Sequence, residues 1–170
     1  PYIELFQRRD DRVRCVMVSH GGFPNIDIKE EVTGGRLEPA SLNYNIVTRL
    51  LRHELGYKHL VVTDDLEMGA ISRHCEIEDA TVRAALAGED MLLICASPDK
   101  IRRGYHGLLE AVKRGKLKEE RIKESLDRIS RTKTLVEPPL PLDLARFQQL
   151  SDEILKLNSK LNYTYGGTVK

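Results

Sequence analysis

Three short apolar runs along the chain alternate with amphipathic stretches. The runs cover Arg14–Ser19, Leu60–Thr63 and Met91–Ser97. Apolar runs of this length are typical of buried parallel strands. Their alternation with helical stretches predicts an α/β fold with a parallel sheet, in a doubly wound domain or a β/α barrel. A full barrel usually needs about 250 residues, so we expect this chain of 170 residues to form only part of one.

The stretches with helical spacing divide the chain into two parts. The first helix begins near Ser41 or Asn43 and ends at Gly56. The further predicted helices are Ile77–Ala87, Ile101–Arg114, Lys118–Val136 and Asp143–Asn158. Three prolines between 138 and 141 interrupt regular structure. We therefore predict an α/β part over 1–136, followed over 137–170 by a proline-rich link, one short helix and a mobile tail.

Composition and charge exclude several functional classes. Lys plus Arg number 27 against 26 for Asp plus Glu, and this balance favours neither nucleic acid nor an anionic membrane. No apolar run approaches the roughly 20 residues that span a bilayer. The chain begins without Met and without a signal peptide, so we expect upstream sequence to be missing. Cys15 and Cys95 lie in apolar runs and are predicted core residues, which favours a reducing, cytoplasmic location.

Polar residues follow each predicted strand. They are Ser19 and His20 after the first, Asp64 and Asp65 after the second, and Ser97 at the end of the third. Parallel strands bring these residues to one edge, where acid/base or nucleophilic chemistry could occur. The alternatives are that one carboxylate caps a helix while the other pairs with a basic group, and that His20 binds backbone.

Two further kinds of site receive less support from the sequence. His20, Asp64 and Asp65 could hold a divalent metal, but adjacent carboxylates point in alternate directions along an extended chain, so we predict no metal site. A magnesium-dependent phosphatase or phosphotransfer domain would have an Asp-x-Asp order, which this strand lacks. No glycine-rich phosphate loop occurs, and we predict no cofactor.

One run carries a family pattern. Leu50, Leu51, Arg52 and Glu54 precede the strand that ends in Thr63-Asp64, and the run continues to Ala70. This run resembles glycoside hydrolase family three, and the motif Asp-Asp-Leu-x-Met, which begins at Asp64, resembles the β-N-acetylglucosaminidase branch of that family. The segments Val16–His20, with Phe23-Pro24, and Ala87–Met91 resemble the neighbouring strands of the family. The similarity extends over about 1–135.

The resemblance implies a retaining glycosidase with Asp64 as its nucleophile. Such an Asp forms a covalent glycosyl-enzyme intermediate, while a second group first protonates the leaving oxygen and then activates water. By the same resemblance, Asp65 is a supporting residue, Met68 packs beneath the site and His20 lies near the substrate. The implied substrate is terminal β-linked N-acetylglucosamine, with peptidoglycan fragments as one source.

The chain departs from the family pattern in two positions and in extent. His59 stands where the family has Gly, and Glu67 stands where it prefers a small or amide residue. The Asp-Ser-His motif of the acid/base and the preceding Lys-His run are absent from this chain. The resemblance thus implies the last three β/α units of a TIM barrel, which need the N-terminal barrel half as partner and are inactive alone. The alternative is a non-catalytic barrel remnant or interaction module.

Overall fold

A parallel sheet of three strands organises the first part of the chain. The computed structural model describes residues 13–23, 37–138 and 141–161. Strands β1 (Cys15–Val18), β2 (Leu60–Asp65) and β3 (Met91–Leu93) lie in the order β1-β2-β3, and both pairs are parallel. The register runs from Cys15 opposite Leu60 to Val18 opposite Thr63. The predicted α/β class with a parallel sheet is confirmed.

Helices connect the strands and continue after the sheet. A 3₁₀ turn at Ala40–Leu42 precedes α1 (Asn45–Glu54), which has the wider π-type hydrogen bonding. The remaining helices are α2 (Gly69–Ser72), α3 (Ile77–Ala87), α4 (Pro98–Lys113), α5 (Glu119–Lys133) and α6 (Leu144–Lys160). Helix α3 has the predicted bounds and ends at Gly88, whose φ of 120° suits glycine. Most of the predicted loop between Phe23 and Pro39 lies outside the described residues.

The core lies on both sides of β2, the central strand. Val61 is fully buried and packs with Val47, Leu51 and Ala87, which fixes α1 against the sheet. On the other side, a second cluster joins the segment after β2 to α3. Its buried members are Leu42, Leu66, Ile71, Ile77, Ala80 and Ala84. Because a strand with neighbours on both edges loses water from both faces and edges, β2 is the strand most buried in this sheet.

The prediction that all three strands are buried is wrong for β1 and β3. Met17 is 57% exposed and Met91 is 38% exposed. Within the described part of the chain, each of these strands pairs on one side only, so its other edge and part of one face are left uncovered by described residues. The third strand also ends at Leu93 rather than Ser97, and Cys15 and Cys95 are exposed rather than core residues.

A buried ion cluster joins α1, β2 and α5 at the amino end of β2. Its centre is Asp90, whose side chain is fully buried and accepts a hydrogen bond from the Val61 N–H at 3.0 Å. The other donors to this carboxylate are Arg52 at 2.7 Å, Arg128 at 2.9 Å, Ser125 at 3.0 Å and Arg121 at 3.2 Å. Desolvation raises the pKa of Asp90, but Arg52, Val61 and Arg128 outweigh it, and the pKa falls below its ordinary value.

Glu89 lies next to this cluster without a hydrogen-bond partner. It is 2% exposed, and neither carboxylate oxygen has a partner among the described residues. Burial raises the pKa of Glu89 to about 9, although Arg52 and Arg121 oppose the rise. Glu89 is therefore protonated in the folded chain at pH 7.

Replacing Glu89 by Gln is expected to stabilise the fold in a pH-dependent way. Below the unfolded pKa of 4.5, Glu89 is protonated in both the folded and the unfolded chain, and its burial carries no ionisation cost. As the pH rises from there through the folded pKa, the unfolded chain ionises first and the folded chain loses stability. Gln, which is neutral in both states, should therefore raise the free energy of unfolding at pH 7 by about 2–3 kcal/mol. Urea unfolding of both chains at pH 4.5 and pH 7 measures this difference. A gain equal at both pH values would contradict a protonated Glu89.

The chain divides into two units, residues 1–136 and 137–170. In the second unit, α6 begins after Asp143, whose carboxylate accepts a hydrogen bond from the Arg146 N–H at 2.9 Å. This helix agrees with the one predicted over Asp143–Asn158. The predicted mobile tail lies outside the described residues from 162 onwards.

Candidate active site

Asp64 stands at the carboxyl end of β2, where β/α folds place their chemistry. Its carboxylate is partly exposed, and its Oδ1 accepts a hydrogen bond from the Asp65 N–H at 2.8 Å. Among the described residues, no Lys or Arg forms an ion pair with Asp64. One carboxylate oxygen is thus held by backbone while the other stays available for a reacting atom.

Asp65 ties the end of β2 to the segment that follows β3. Its Oδ1 accepts hydrogen bonds from the backbone N–H groups of Glu67 at 3.0 Å and Cys95 at 3.3 Å. Its carbonyl oxygen accepts one from the Met68 N–H at 3.0 Å. These bonds fix the turn that follows Asp64, and they agree with a supporting role for Asp65.

His20 is buried and holds three segments together. Its Nε2 lies 2.9 Å from the carbonyl oxygen of Asp65, and its Nδ1 lies 2.7 Å from the Ser41 hydroxyl. A carbonyl only accepts, so Nε2 carries the proton, and in the neutral ring Nδ1 accepts from Ser41. Both ring nitrogens are therefore engaged, which favours the alternative of a histidine bonded to backbone over one that contacts substrate.

We expect His20→Ala to destabilise the chain by about 1–3 kcal/mol, because it leaves the buried Ser41 hydroxyl without its partner. The exposed His106, replaced by Ala, is the matched control and should change stability by less than about 0.5 kcal/mol. Urea unfolding followed by circular dichroism provides the measurement. Unchanged stability in His20→Ala would restore the prediction that His20 serves the substrate.

Glu67 explains how the chain accommodates its departure from the family pattern. Its Oε2 accepts hydrogen bonds from the N–H groups of Ala96 at 2.6 Å and Ser97 at 3.1 Å, and its Oε1 lies 3.3 Å from Lys100 Nζ. The Ala96 bond is the largest of the contacts that lower the pKa of Glu67. A carboxylate at the start of α4 also interacts favourably with the helix dipole. Glu67 thus fastens the turn after β2 to the start of α4.

Met68 does not pack beneath the site, so that prediction is wrong. Its side chain is 45% exposed, whereas Leu66 is 1% exposed and Ile71 is fully buried. The chain turns immediately after β2 and α2 begins at Gly69, so Leu66 and Ile71 take the core positions on either side of the turn. Met68 contributes its N–H to the turn and its side chain to the surface.

A family model identifies the chain. The model of the family "Glycosyl hydrolase family 3 N terminal domain" matches residues 2–132, which is well over half of the chain. The chain belongs to glycosyl hydrolase family 3. The predicted resemblance is confirmed.

The similar proteins are much longer than this chain. Beta-hexosaminidase A of Pseudoalteromonas piscicida is 34% identical over 70% of this chain, which spans 21% of that protein. A β-N-acetylglucosaminidase structure from Paenibacillus sp. str. FPU-7 is 34% identical with a TM-score of 0.71, over 84% of this chain and 26% of the other. The structure of Zn-bound CbsA from Thermotoga neapolitana is 27% identical with a TM-score of 0.68, over 82% of this chain and 28% of the other.

The family 3 chain brings some predicted residues together and separates others. His20 and Asp65 are in direct contact beside Asp64, whereas Ser97 faces α4 and accepts a hydrogen bond from the Lys100 N–H at 3.3 Å. In the part of the chain that the structure describes, no group of three or more His, Cys, Asp or Glu is arranged to hold a metal. No described helix is long and apolar enough to cross a membrane. We did not predict the contacts of Glu67, because its partners lie about 30 residues away and leave no local signal.

Proposed function

We propose that this chain supplies the nucleophile-bearing part of a retaining family 3 glycosidase that removes terminal β-linked N-acetylglucosamine. The observation that carries the proposal is Asp64, which lies at the end of the central strand within the family pattern. Its carboxylate is partly exposed and forms no ion pair with any described residue. Relatives named beta-hexosaminidase and β-N-acetylglucosaminidase support the substrate class. Peptidoglycan fragments are one source of such sugars.

The contacts of Asp64 suit nucleophilic attack on an anomeric carbon. The Asp65 N–H holds Oδ1, so the carboxylate presents Oδ2 to the sugar in a fixed orientation. Attack breaks the glycosidic bond and forms a glycosyl ester, which water then hydrolyses with retention of configuration. Asp65, His20 and Glu67 act indirectly, because their bonds fix the turn on which Asp64 stands.

The acid/base group is proposed to come from sequence outside this chain. No described strand pairs with the outer edge of β1 or of β3, and the chain spans only 21–28% of the relatives named above. We assign it the last three β/α units of an eightfold barrel. Without the remaining units the site lacks most of its transition-state contacts, so the chain alone should not turn over substrate.

The proposed compartment is the cytoplasm. All three cysteines are free, at positions 15, 75 and 95. Free thiols without a disulfide framework are typical of a reducing compartment. Fractionation of cells that express the intact protein, with an antibody against this chain, tests this assignment.

A chimera tests the proposed activity. It joins the part of the Paenibacillus enzyme that this chain does not cover to this chain, and aryl β-N-acetylglucosaminide is the substrate. We expect hydrolysis of this substrate, much slower hydrolysis of the matching aryl β-glucoside and none by the chain alone. A chimera that folds, by circular dichroism, but does not cleave the aminosugar would favour the non-catalytic remnant instead.

A further inference from the structure

A cavity of about 400 Å³ lies at the amino ends of the strands, at the opposite end of the sheet from Asp64. Arg14 precedes β1, and Lys58 and His59 precede β2, while the other lining residues belong to the last turns of α5 and the segment after it. The lining residues are Arg14, Lys58, His59, Arg128, Arg131, Thr132, Thr134 and Leu135. We call this the basic cavity.

The basic cavity concentrates positive charge that the described residues around it do not neutralise. Among the described residues, no Asp or Glu lines it. Within the described ranges, no carboxylate forms an ion pair with Arg14, Lys58 or Arg131, whereas Arg128 is paired with Asp90 at 2.9 Å. The chain as a whole has a formal net charge of only +1, so this is a local excess.

Support of helix α5 explains only part of this arrangement. Cationic side chains in the last turn of a helix offset its dipole, and the Arg131 Nε donates to the Asp127 carbonyl at 3.3 Å. Arg14 and Lys58, however, belong to segments outside α5 and line the same cavity. Three cations that form no ion pair with a described carboxylate, from three separate segments, therefore surround one space.

The hydrogen-bonding groups of the cavity fit an anion rather than a sugar. The Thr132 and Thr134 hydroxyls donate to the carbonyls of Arg128 and Arg131, at 2.9 and 2.8 Å. The donors left for a ligand are the cationic groups, and none of the described lining residues is a carboxylate that could accept from sugar hydroxyls. One guanidinium group can donate two parallel hydrogen bonds to two oxygens of a phosphate. The cavity volume of about 400 Å³ also lies in the usual range of small-molecule sites.

We propose that the basic cavity binds a small molecule that carries a phosphate group. The site does not depend on the proposed glycosidase activity, because the four residues Leu60–Thr63 lie between its His59 and Asp64, a distance of about 17 Å along the strand. Its ligand would be recognised by Lys58, Arg14 and Arg131 through charge-assisted hydrogen bonds.

Titration calorimetry on the chain of 170 residues tests this proposal. Inorganic phosphate, pyrophosphate and glucose 6-phosphate are titrated at constant ionic strength into the wild type, Lys58→Gln and Arg131→Gln. Each substitution should weaken binding about tenfold. The matched controls Lys116→Gln and Arg102→Gln remove the same charges from exposed positions outside the cavity and should bind like the wild type.

Three results would overturn the proposal. The first is the absence of saturable binding for all three phosphates at constant ionic strength. The second is an equal loss of affinity in the control variants, which would indicate net charge rather than a site. The third is binding of a short single-stranded RNA that pyrophosphate does not displace, which would make a polymer the occupant. Selective loss in Lys58→Gln and Arg131→Gln would support the assignment.

Discussion

Asp64→Ala in the family 3 chimera is expected to lower kcat for an aryl β-N-acetylglucosaminide by at least about 10⁴-fold. The proposed nucleophile forms a bond that no neighbouring group is expected to replace, because the Asp65 carboxylate is held by the backbone N–H groups of Glu67 and Cys95, in the turn after β2 and the segment after β3. Asp64→Asn keeps the shape of the side chain and the acceptor for the Asp65 N–H, so its loss of activity would isolate the missing negative charge.

Asp65→Asn is the matched control for this experiment. The amide oxygen can still accept the N–H groups of Glu67 and Cys95, so turnover should fall by less than about tenfold. Steady-state kinetics on the three variants gives the comparison. Turnover that survives in Asp64→Ala, or that is lost equally in Asp65→Asn, would make the assignment of the nucleophile wrong.

Asp90→Ala is expected to destabilise the chain by about 3–5 kcal/mol, which is a large part of the stability of an ordinary domain. The substitution leaves Arg52, Arg121 and Arg128 without the carboxylate that they share, and it leaves the buried Val61 N–H without an acceptor. Arg52 is mostly buried, so water cannot replace its partner at low cost. Chemical unfolding followed by circular dichroism measures the change.

The exposed Asp127 provides the matched control for Asp90. Its replacement by Ala should change the free energy of unfolding by less than about 0.5 kcal/mol. The pH dependence should also differ: a depressed pKa in the folded chain gives stability above the unfolded value of 3.8, and this stability is lost as pH falls through the folded pKa. A loss below about 1 kcal/mol in Asp90→Ala would contradict a stabilising role for the cluster.

The parts of the fold that sequence could predict are those with local causes. Strand β2 follows from four apolar or β-branched residues before Asp64, and α3 follows from its alanine spacing and the glycine at 88. The nucleophile candidate came from the same local pattern. Most residues of these two elements are buried, as their apolar pattern predicts, and the rest of the fold does not alter their type or their bounds by more than two residues.

The remaining features depend on contacts between distant segments. An apolar run does not reveal whether it will pair on one edge or two, and for this reason Cys15 and Met91 proved exposed. The Asp90 carboxylate binds Arg52 and Arg128, which lie 38 residues before and 38 residues after it in the sequence. The spacing of residues within a helix or a strand cannot predict a contact at this separation. His20 could be placed at the correct edge of the sheet, but its bonds to Ser41 and Asp65 required the structure.

Covalent trapping tests the central claim most directly. A 5-fluoro N-acetylglucosaminyl fluoride reacts with the chimera, and mass spectrometry locates the sugar after trypsin digestion. Cleavage after Lys58 and Arg73 releases residues 59–73 as one peptide, which contains Asp64. We predict an ester-linked N-acetylglucosamine derivative on Asp64, absent from the Asp64→Ala chimera. A sugar attached to another residue, or turnover without any trapped ester, would contradict Asp64 as the nucleophile.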